Sequence, residues 1–159
     1  KIEEGDGAAI QILARSARIL ESTLEDHAAA RLARSSRRTP RIANRLLRRV
    51  RDHAEVHGHE KISVRLVDET LQTLGVDELG LDDTDRELLR TIIEKFSGGP
   101  VGLNTVSSAL SEEEATIEEV YEPYLLQLGF LERTPRGRKV TEHAYTHLGI
   151  PELFKKTLL

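Results

Sequence analysis

The sequence GFLERTPRGRKVT, residues 129–141, decides the fold of the second half of the chain. Two short segments, 130–133 and 138–141, flank a turn signal at residues 134–137 that contains proline and glycine. Such a turn between two short runs predicts a β-hairpin. Helical patterns precede and follow this hairpin. The order helix, helix, helix, hairpin is that of a winged helix-turn-helix domain.

Three helices are expected before the hairpin and one after it, from apolar spacing and capping residues. Thr116 and Glu119 have the spacing of a capping box, so a helix is expected to open at Ile117 and to end before Gly129. The expected helices run from a cap at Asp82 or Asp83 to Ser97, then over Leu103–Leu110, Ile117–Leu128 and His143–Leu148.

The first half of the chain predicts four short helices, each with apolar residues repeated at intervals of three or four. Pro40 suits the first turn of the third helix, where no N–H is needed. Ser63 is expected to cap the fourth helix, and Ser22 or Thr23 the second. The expected buried faces contain Leu13, Ala17 and Leu20, then Leu24, Ala28 and Leu32, then Ile42, Leu46, Val50 and Ala54, and then Val64, Val67, Leu71 and Leu74.

These patterns predict a mainly α protein with two domains. A small four-helix bundle at residues 1–77 is expected to precede the winged helix-turn-helix domain at residues 78–159. The boundary is placed in the short acidic connection Val76–Leu81, which contains a glycine. A length of 159 residues accommodates two small domains.

The composition excludes several classes of site. Without cysteine the chain has no disulfide, zinc–thiolate site, iron–sulfur cluster or thiol nucleophile. Aromatic residues make up 4%, too few for a platform that stacks single-stranded bases. The chain has no P-loop pattern and no Ser-His-Asp grouping, so no catalytic residue is assigned to it. No apolar run reaches the ~18–20 residues of a membrane span, so no membrane contact is expected.

Positive charge is concentrated in two places, although the net charge is −4. The first place is Arg31–Arg51, with nine arginines and no acid. This segment is either a solvated helix face or a site for phosphate groups, which the arginine fork suits. Arg41 favours the second interpretation, because it lies in the first turn after Thr39-Pro40, where the helix dipole attracts anions.

The second basic place is the hairpin, with Arg133, Arg136, Arg138 and Lys139 in seven residues. It is either a solubilising loop or a wing that contacts the DNA backbone. The helix Ile117–Leu128 carries three glutamates and no cation, which opposes insertion into a major groove. If this domain binds DNA, the wing is therefore expected to make the contact, without reading base sequence.

Two histidine pairs, at residues 53 and 57 and at residues 143 and 147, have the spacing of one helical turn. A metal site needs a third or fourth ligand, which neither pair supplies. No metal is therefore expected.

Several long strings resemble the RuvB family of bacterial Holliday-junction branch-migration motors. Residues 37–52 are similar to its lid segment, and residues 98–103, 116–125 and 129–138 are similar to its C-terminal winged helix. Residues 74–81 are similar to the junction between the two. The resemblance covers roughly residues 8–150, and the first seven residues do not match.

The resemblance implies roles for named residues. Arg41, with Pro40 before it, matches the sensor-2 string of the family and is expected to reach the phosphates of a bound nucleotide. Arg133 and Arg138 match arginines implicated in DNA contact, and Arg136 at the tip is expected to assist. Arg38 stands where the family usually has glycine, which is expected to strain the turn by roughly 1 kcal/mol if the backbone has a positive φ there.

The resemblance also implies a larger protein. The intact family member is a homohexameric, ATP-hydrolysing DNA helicase of recombination and repair that uses ATP or ADP with Mg²⁺. Its implied partners are the double-stranded arms of a Holliday junction, a RuvA-like junction-binding protein and a RuvC-like resolvase, in the bacterial cytoplasm. This chain resembles only the lid and the head and is expected to be inactive alone.

Two further hypotheses remain beside the resemblance. One is a stand-alone winged-helix regulator that binds DNA, and the other is a winged helix that binds protein. The acidic helix opposes the first, and the basic wing opposes the second.

Overall fold

The computed structural model describes residues 6–19, 23–37 and 39–151. The chain divides into two compact units, Lys1–Asp82 and Asp83–Leu159. Most described residues are helical, which confirms the predicted fold class. None of the helices in the described ranges is long and apolar enough to cross a membrane.

The first unit is built on four helices and one short parallel strand pair. Helices α1 (Asp6–Ile19), α2 (Asp26–Ser35) and α3 (Pro40–Val56) contact one another, and helix α4 (Val64–Thr73) packs against α2 and α3. Leu13, Leu32, Leu47, Val67 and Leu71 lie at the centre of the core and are almost fully buried. The two strands are β1 (Thr23–Leu24), which lies between α1 and α2, and β2 (Lys61–Ile62), which lies between α3 and α4.

The helix starts of this unit confirm part of the capping analysis. The Ser63 side chain accepts a hydrogen bond from the Leu66 N–H at 3.2 Å, and Pro40 lies in the first turn of α3. The cap expected at Thr23 is wrong, because Thr23 is in β1 and pairs with Lys61 of β2. The N-cap of α2 is Glu25 instead. Ser22 lies outside the described residues.

The buried apolar faces of these helices also agree with the sequence pattern, apart from two residues. Leu74, expected in the core, is 37% exposed because α4 ends one residue earlier and Leu74 is already its C-cap. Leu20 lies outside the described residues.

The acidic connection after α4 packs onto the end of α2. The Ser35 hydroxyl donates to the carbonyls of Asp77, at 2.9 Å, and of Glu78, at 3.3 Å. The Asp77 carboxylate accepts the backbone N–H groups of Leu79 and Leu81 at 2.9 and 3.0 Å. These bonds explain why the first unit extends to Asp82, five residues beyond the boundary expected from the sequence.

The second unit has the element order of a winged helix. Helix α5 (Asp83–Phe96) and helix α6 (Leu103–Leu110) are followed by a continuous helical stretch at residues 114–127. Two antiparallel strands and a further helix follow in the described part of this unit. These elements are β3 (Leu131–Thr134), β4 (Gly137–Val140) and α9 (Glu142–Leu148). Leu89, Ile92, Ile93, Ile117 and Leu125 are among its most buried side chains.

The third helical stretch is not a uniform α-helix. It consists of α7 (Glu114–Thr116), a π-helical segment (Ile117–Tyr121) and α8 (Glu122–Gln127). The expected capping box is wrong, because Glu113 is the N-cap and Thr116 already has helical dihedral angles. Pro123 lies two residues after the end of the π-helical segment, in the first turn of α8. A proline has no N–H to give to the preceding turn, and a wider turn there accommodates its ring.

The hairpin turn is tighter than the sequence suggested. Strand β3 extends to Thr134 and β4 begins at Gly137, so the turn consists of Pro135 and Arg136 alone. The Thr134 hydroxyl donates to the Gly137 carbonyl at 2.8 Å and closes the turn. Val101 forms a bridge to Arg138 through two backbone bonds, of 2.9 and 2.7 Å, and so anchors β4 to the loop before α6.

Candidate functional site

The two faces of the hairpin differ in what they contact. Arg133 lies two residues after the buried Leu131, and Arg138 lies two residues before the buried Val140, so both arginines share the inner face of the hairpin with these apolar residues. The outer face carries an exposed pair, Glu132 opposite Lys139. The tip, at Arg136, is exposed.

The inner arginines are clamped onto the carboxylate of Glu122 at the start of α8. Arg133 donates from Nε at 2.9 Å and from Nη2 at 2.6 Å, both to Oε2 of Glu122. Arg138 donates from Nε to Oε1 at 2.7 Å and from Nη2 to Oε2 at 3.4 Å. Nη2 of Arg138 also donates to Glu118, one turn earlier, at 3.2 Å.

The cluster formed by Glu118, Glu122, Arg133 and Arg138 is built around one buried carboxylate, that of Glu122. The Glu122 side chain is 1% exposed, that of Arg138 is 16% exposed and that of Arg133 is 45% exposed. The hydrogen bond to Glu122, together with the charges of both glutamates, raises the pKa of Arg138 against the opposing effect of burial. Removal of one partner from a buried ion-pair network costs about 3–5 kcal/mol.

Glu122 also resolves a repulsion within the hairpin. Arg133 and Arg138 are directly opposite one another in the strand register. Like charges at such a position destabilise a strand pair. A carboxylate that accepts from both guanidinium groups converts this repulsion into a three-residue network that ties the wing to the helix.

The cluster changes the electrostatics expected from the sequence. Of the three glutamates at residues 117–128, two are paired with wing arginines, while Glu119 is exposed and has no side-chain partner among the described residues. Sequence reasoning missed Glu122 as a functional neighbour of the wing. Strand alternation was the available signal, because it places Arg133 and Arg138 on the face of the buried residues.

Arg136 is an exposed cation at the tip of the wing. Its side chain is exposed and has no hydrogen-bond or ion-pair partner among the described residues. Its backbone N–H donates to the Thr134 hydroxyl at 3.3 Å, which fixes the turn beneath it. The structure therefore separates the expected DNA-contact residues into an open one at the tip and two that are bound to Glu122.

Arg41 lies in the first turn of α3 and is exposed. The Ala43 N–H bonds to the Thr39 carbonyl at 3.0 Å, so the N–H of Arg41 precedes the helical ladder. The first turn holds no acidic residue. Within the described part of the chain the Arg41 guanidinium has no partner, so this helix start presents only positive charge.

The described arginines of Arg31–Arg51 fall into two groups. Arg31 pairs with Asp68 at 2.7 Å, Arg37 donates to the Gly80 carbonyl at 2.8 Å, and Arg51 pairs with Asp52 at 3.0 Å. The other described members, all exposed and without a partner among the described residues, are Arg34, Arg41, Arg45, Arg48 and Arg49. Arg38 lies outside the described residues, while Arg37 before it has a positive φ of 54°.

His53 on α3 and His57, the C-cap of that helix, contact each other. The rings of His53 and His57 stack with their centres 4.3 Å apart, and Nδ1 of His57 is 2.9 Å from the His53 carbonyl. Within residues 6–19, 23–37 and 39–151, no group of three or more His, Asp or Glu side chains is arranged to hold a metal.

Two family models match adjacent parts of the chain. The model of the RuvB AAA lid domain matches residues 8–77, and the model of the RuvB C-terminal winged helix domain matches residues 78–149. The lid match contains Arg41 and the winged-helix match contains the whole Glu122 cluster.

Relatives and solved structures agree with these models. The chain is 58% identical over 146 residues to the Holliday junction branch migration complex subunit RuvB of Chloroflexus aggregans, covering 92% of this chain and 42% of that protein. It is 59% identical over 140 residues to the RuvB subunit of Dehalococcoides mccartyi, covering 88% of this chain and 40% of that protein. The chain thus spans less than half the length of these relatives.

The structure of the Thermotoga maritima RuvB Holliday junction branch migration motor superimposes with a TM-score of 0.87 at 50% identity, over 90% of this chain and 48% of that one. Its P216G mutant gives a TM-score of 0.88 at 47% identity, over 94% and 50% of the respective chains. Sequence, fold and domain order agree, and the chain belongs to the RuvB family, of which it carries the lid domain and the C-terminal winged-helix domain.

Proposed function

We propose that this chain is the lid and the DNA-binding head of an ATP-driven motor that moves Holliday junctions during recombination and repair. The similarity to RuvB subunits over both domains supports this function. Residues 1–77 act as the lid and residues 78–159 as the head. The intact protein is a hexameric ATPase and helicase of the bacterial cytoplasm, and its partners are junction arms, a RuvA-like protein and a RuvC-like resolvase.

In this function the wing grips the DNA backbone without reading bases. The observation that carries the proposal is the exposed guanidinium of Arg136, which has no partner among the residues that the structure describes and lies at the tip of a hairpin whose base is fixed by Glu122. A motor that passes over any sequence needs contacts to phosphates rather than to base edges. A sequence-reading regulator fits less well, because the helix at the recognition position carries glutamates and exposes Val120.

The lid senses nucleotide through Arg41. ATP or ADP with Mg²⁺ binds mainly to the part of the motor that lies outside this chain. Arg41 projects from a helix start free of acids and contacts the nucleotide phosphates from the lid side, with Pro40 fixing the first turn. Hydrolysis changes this contact and so alters the position of the lid.

The tip contact is tested by the salt dependence of DNA binding. Arg136→Ala removes one phosphate contact, so the slope of log affinity against log salt falls by about 0.9. The measurement is fluorescence anisotropy of a labelled duplex of arbitrary sequence over a series of KCl concentrations. Arg90→Ala is the matched control, since Arg90 is exposed on α5 without a partner among the described residues. An unchanged slope for Arg136→Ala, or an equal change for Arg90→Ala, contradicts the proposal.

A further inference from the structure

Glu122 is a buried carboxylate that serves the wing from the neighbouring helix. Its side chain is 1% exposed, and its two oxygens receive both arginines of the inner hairpin face. Burial of a charge is unfavourable unless it is paired and hydrogen-bonded, and here the pairing is complete. Neither lid chemistry nor backbone contact at the tip requires such a group, so its position calls for a separate role.

The way in which Arg133 is bound leaves part of its guanidinium open. Glu122 occupies the Nε–Nη2 edge, with distances of 2.9 and 2.6 Å. The remaining donors are those of Nη1 and the second N–H of Nη2, which lie at the end of the group. The side chain is 45% exposed, so this end reaches the surface of the wing while the opposite edge is held.

Arg138 differs from Arg133 in accessibility. Its side chain is 16% exposed and contacts both Glu122 and Glu118. The backbone N–H and carbonyl of Arg138 are both hydrogen-bonded to Val101, so the strand is fixed as well as the side chain. The largely buried Arg138 therefore holds Glu122 in place, and Arg133 is the member of the pair that can contact a ligand.

We infer that Glu122 is a positioning residue for DNA contact, which holds Arg133 so that the open end of its guanidinium meets a backbone phosphate beside the one bound by Arg136. An arginine side chain loses much conformational entropy when it is immobilised at an interface. Because Glu122 already orders the Arg133 side chain in the free protein, little further conformational entropy is lost when Arg133 binds DNA. This inference rests on the proposed function, since it adds a second contact to the same wing.

The opposite role makes an opposite prediction. If Glu122 only neutralised the arginines, its removal would free them and raise the local positive potential, and DNA affinity would increase. If Glu122 positions Arg133, removal of the Glu122 carboxylate weakens DNA binding even though the net charge of the protein rises by one. The sign of the change in affinity therefore separates the two roles.

The test compares Glu122→Gln with Glu119→Gln, a matched variant on the same helix whose carboxylate has no partner among the described residues. Both substitutions change the net charge equally. We expect Glu122→Gln to weaken duplex binding about threefold to tenfold and to lower the salt slope by about 0.9, as for one lost phosphate contact. Glu119→Gln leaves the affinity unchanged or slightly higher. Binding by Glu122→Gln that equals or exceeds that of Glu119→Gln overturns the inference.

A second comparison excludes a merely structural effect. In a protein that already carries Arg133→Ala, Glu122 has no Arg133 side chain to position. Adding Glu122→Gln therefore leaves the DNA affinity within about twofold of the Arg133→Ala value. The same loss in both backgrounds means that Glu122 acts through the fold of the wing and not through Arg133. That result overturns the positioning role.

A measurement on the unchanged chain decides the matter if Glu122→Gln does not fold. The Nε–H proton of Arg133 is observed by ¹H–¹⁵N NMR, with assignment through Arg133→Lys, before and after addition of duplex. We expect it to remain protected from exchange with DNA bound, because the carboxylate keeps the Nε–Nη2 edge. Loss of protection on binding shows that DNA displaces Glu122 and overturns the inference.

The Arg136→Ala result separates failure of this inference from failure of the proposed function. If Arg136→Ala lowers the salt slope and Glu122→Gln does not weaken binding, only the positioning role is overturned. If neither variant changes the slope, the wing is not the DNA contact and both proposals are overturned.

Discussion

The start of helix α4 is stabilised by a single side chain, that of Ser63. Its hydroxyl accepts the Leu66 N–H at 3.2 Å, while Thr39 occupies the equivalent position before α3 without a side-chain cap. Thr39 instead donates its hydroxyl to the Arg37 carbonyl at 3.2 Å. A capping residue type therefore marks a helix start in both places but stabilises the helix directly in only one of them.

The Ser63 cap gives a stability prediction. Ser63→Ala leaves one N–H at the start of α4 without its partner and lowers the free energy of unfolding of the first unit by about 1 kcal/mol. For a unit of this size the melting temperature falls by about 4–8 °C. Thermal unfolding followed by circular dichroism measures the change. Ser63→Asn, which retains a capping oxygen, stays near the unchanged protein, and equal melting of all three proteins would show that the cap contributes nothing.

At the scale of elements, the helices could be predicted because each carries a repeating apolar face. Leu46, Val50 and Ala54 are buried as that pattern requires. Strands β1 and β2 could not be predicted, because two residues are too few to show alternation and Thr23 pairs with Lys61 far along the chain. The π-helical segment before Pro123 was missed for a related reason, since its apolar spacing is nearly that of an α-helix.

The candidate site was predictable to a similar extent. Arg41 and Arg136 are exposed, as a charged helix start and a hairpin tip require. The pairing of Arg133 and Arg138 with Glu122 joins residues 11 and 16 positions apart. Local composition shows such residues as a basic loop and an acidic helix, and only the packing of one on the other shows that they neutralise each other.

The hairpin gives the second stability prediction, which concerns Gly137. Its φ of 128° is unfavourable for other residues, and a Cβ there would collide with the Val101 carbonyl. Gly137→Ala therefore disrupts the bridge between Val101 and Arg138 and destabilises the second unit by about 2 kcal/mol or more.

Gly129→Ala is the control for Gly137→Ala. Gly129 also has a positive φ, of 70°, but nothing lies within 4 Å of a Cβ built there. Its substitution costs about 1 kcal/mol from the backbone alone. Urea unfolding of the two variants measures both effects, and a Gly137→Ala loss no larger than that of Gly129→Ala would show that the Val101 bridge contributes little.

Across the whole molecule, the arginines divide into those that build the fold and those that remain open. Among the described arginines of the second unit, Arg86, Arg133 and Arg138 have carboxylate partners, and Arg90 and Arg136 have none. In the first unit the open arginines include those along one side of α3, beginning with Arg41. Positive charge that is free to meet phosphate is thus present in both units, although the net charge of the chain is −4.

This division leads to a prediction for the complete motor, which rests on the proposed contact between Arg41 and bound nucleotide. Under the proposed function, Arg41→Ala in the full-length protein removes a guanidinium from the nucleotide phosphates but leaves the helix intact, because Arg41 is exposed and has no partner among the described residues. We expect kcat for ATP hydrolysis to fall at least about tenfold, as for the loss of a charge-assisted contact worth about 1.4 kcal/mol in the transition state.

Arg45→Ala is the matched variant, because Arg45 is exposed on the same helix one turn further from its start. Steady-state hydrolysis and circular dichroism are measured for both variants. Arg45→Ala retains most of the activity, since the field of the helix start declines within the first turn. Equal turnover by Arg41→Ala and the unchanged motor would remove Arg41 from nucleotide sensing, and an equal loss in both variants would assign the effect to the charge of α3 as a whole.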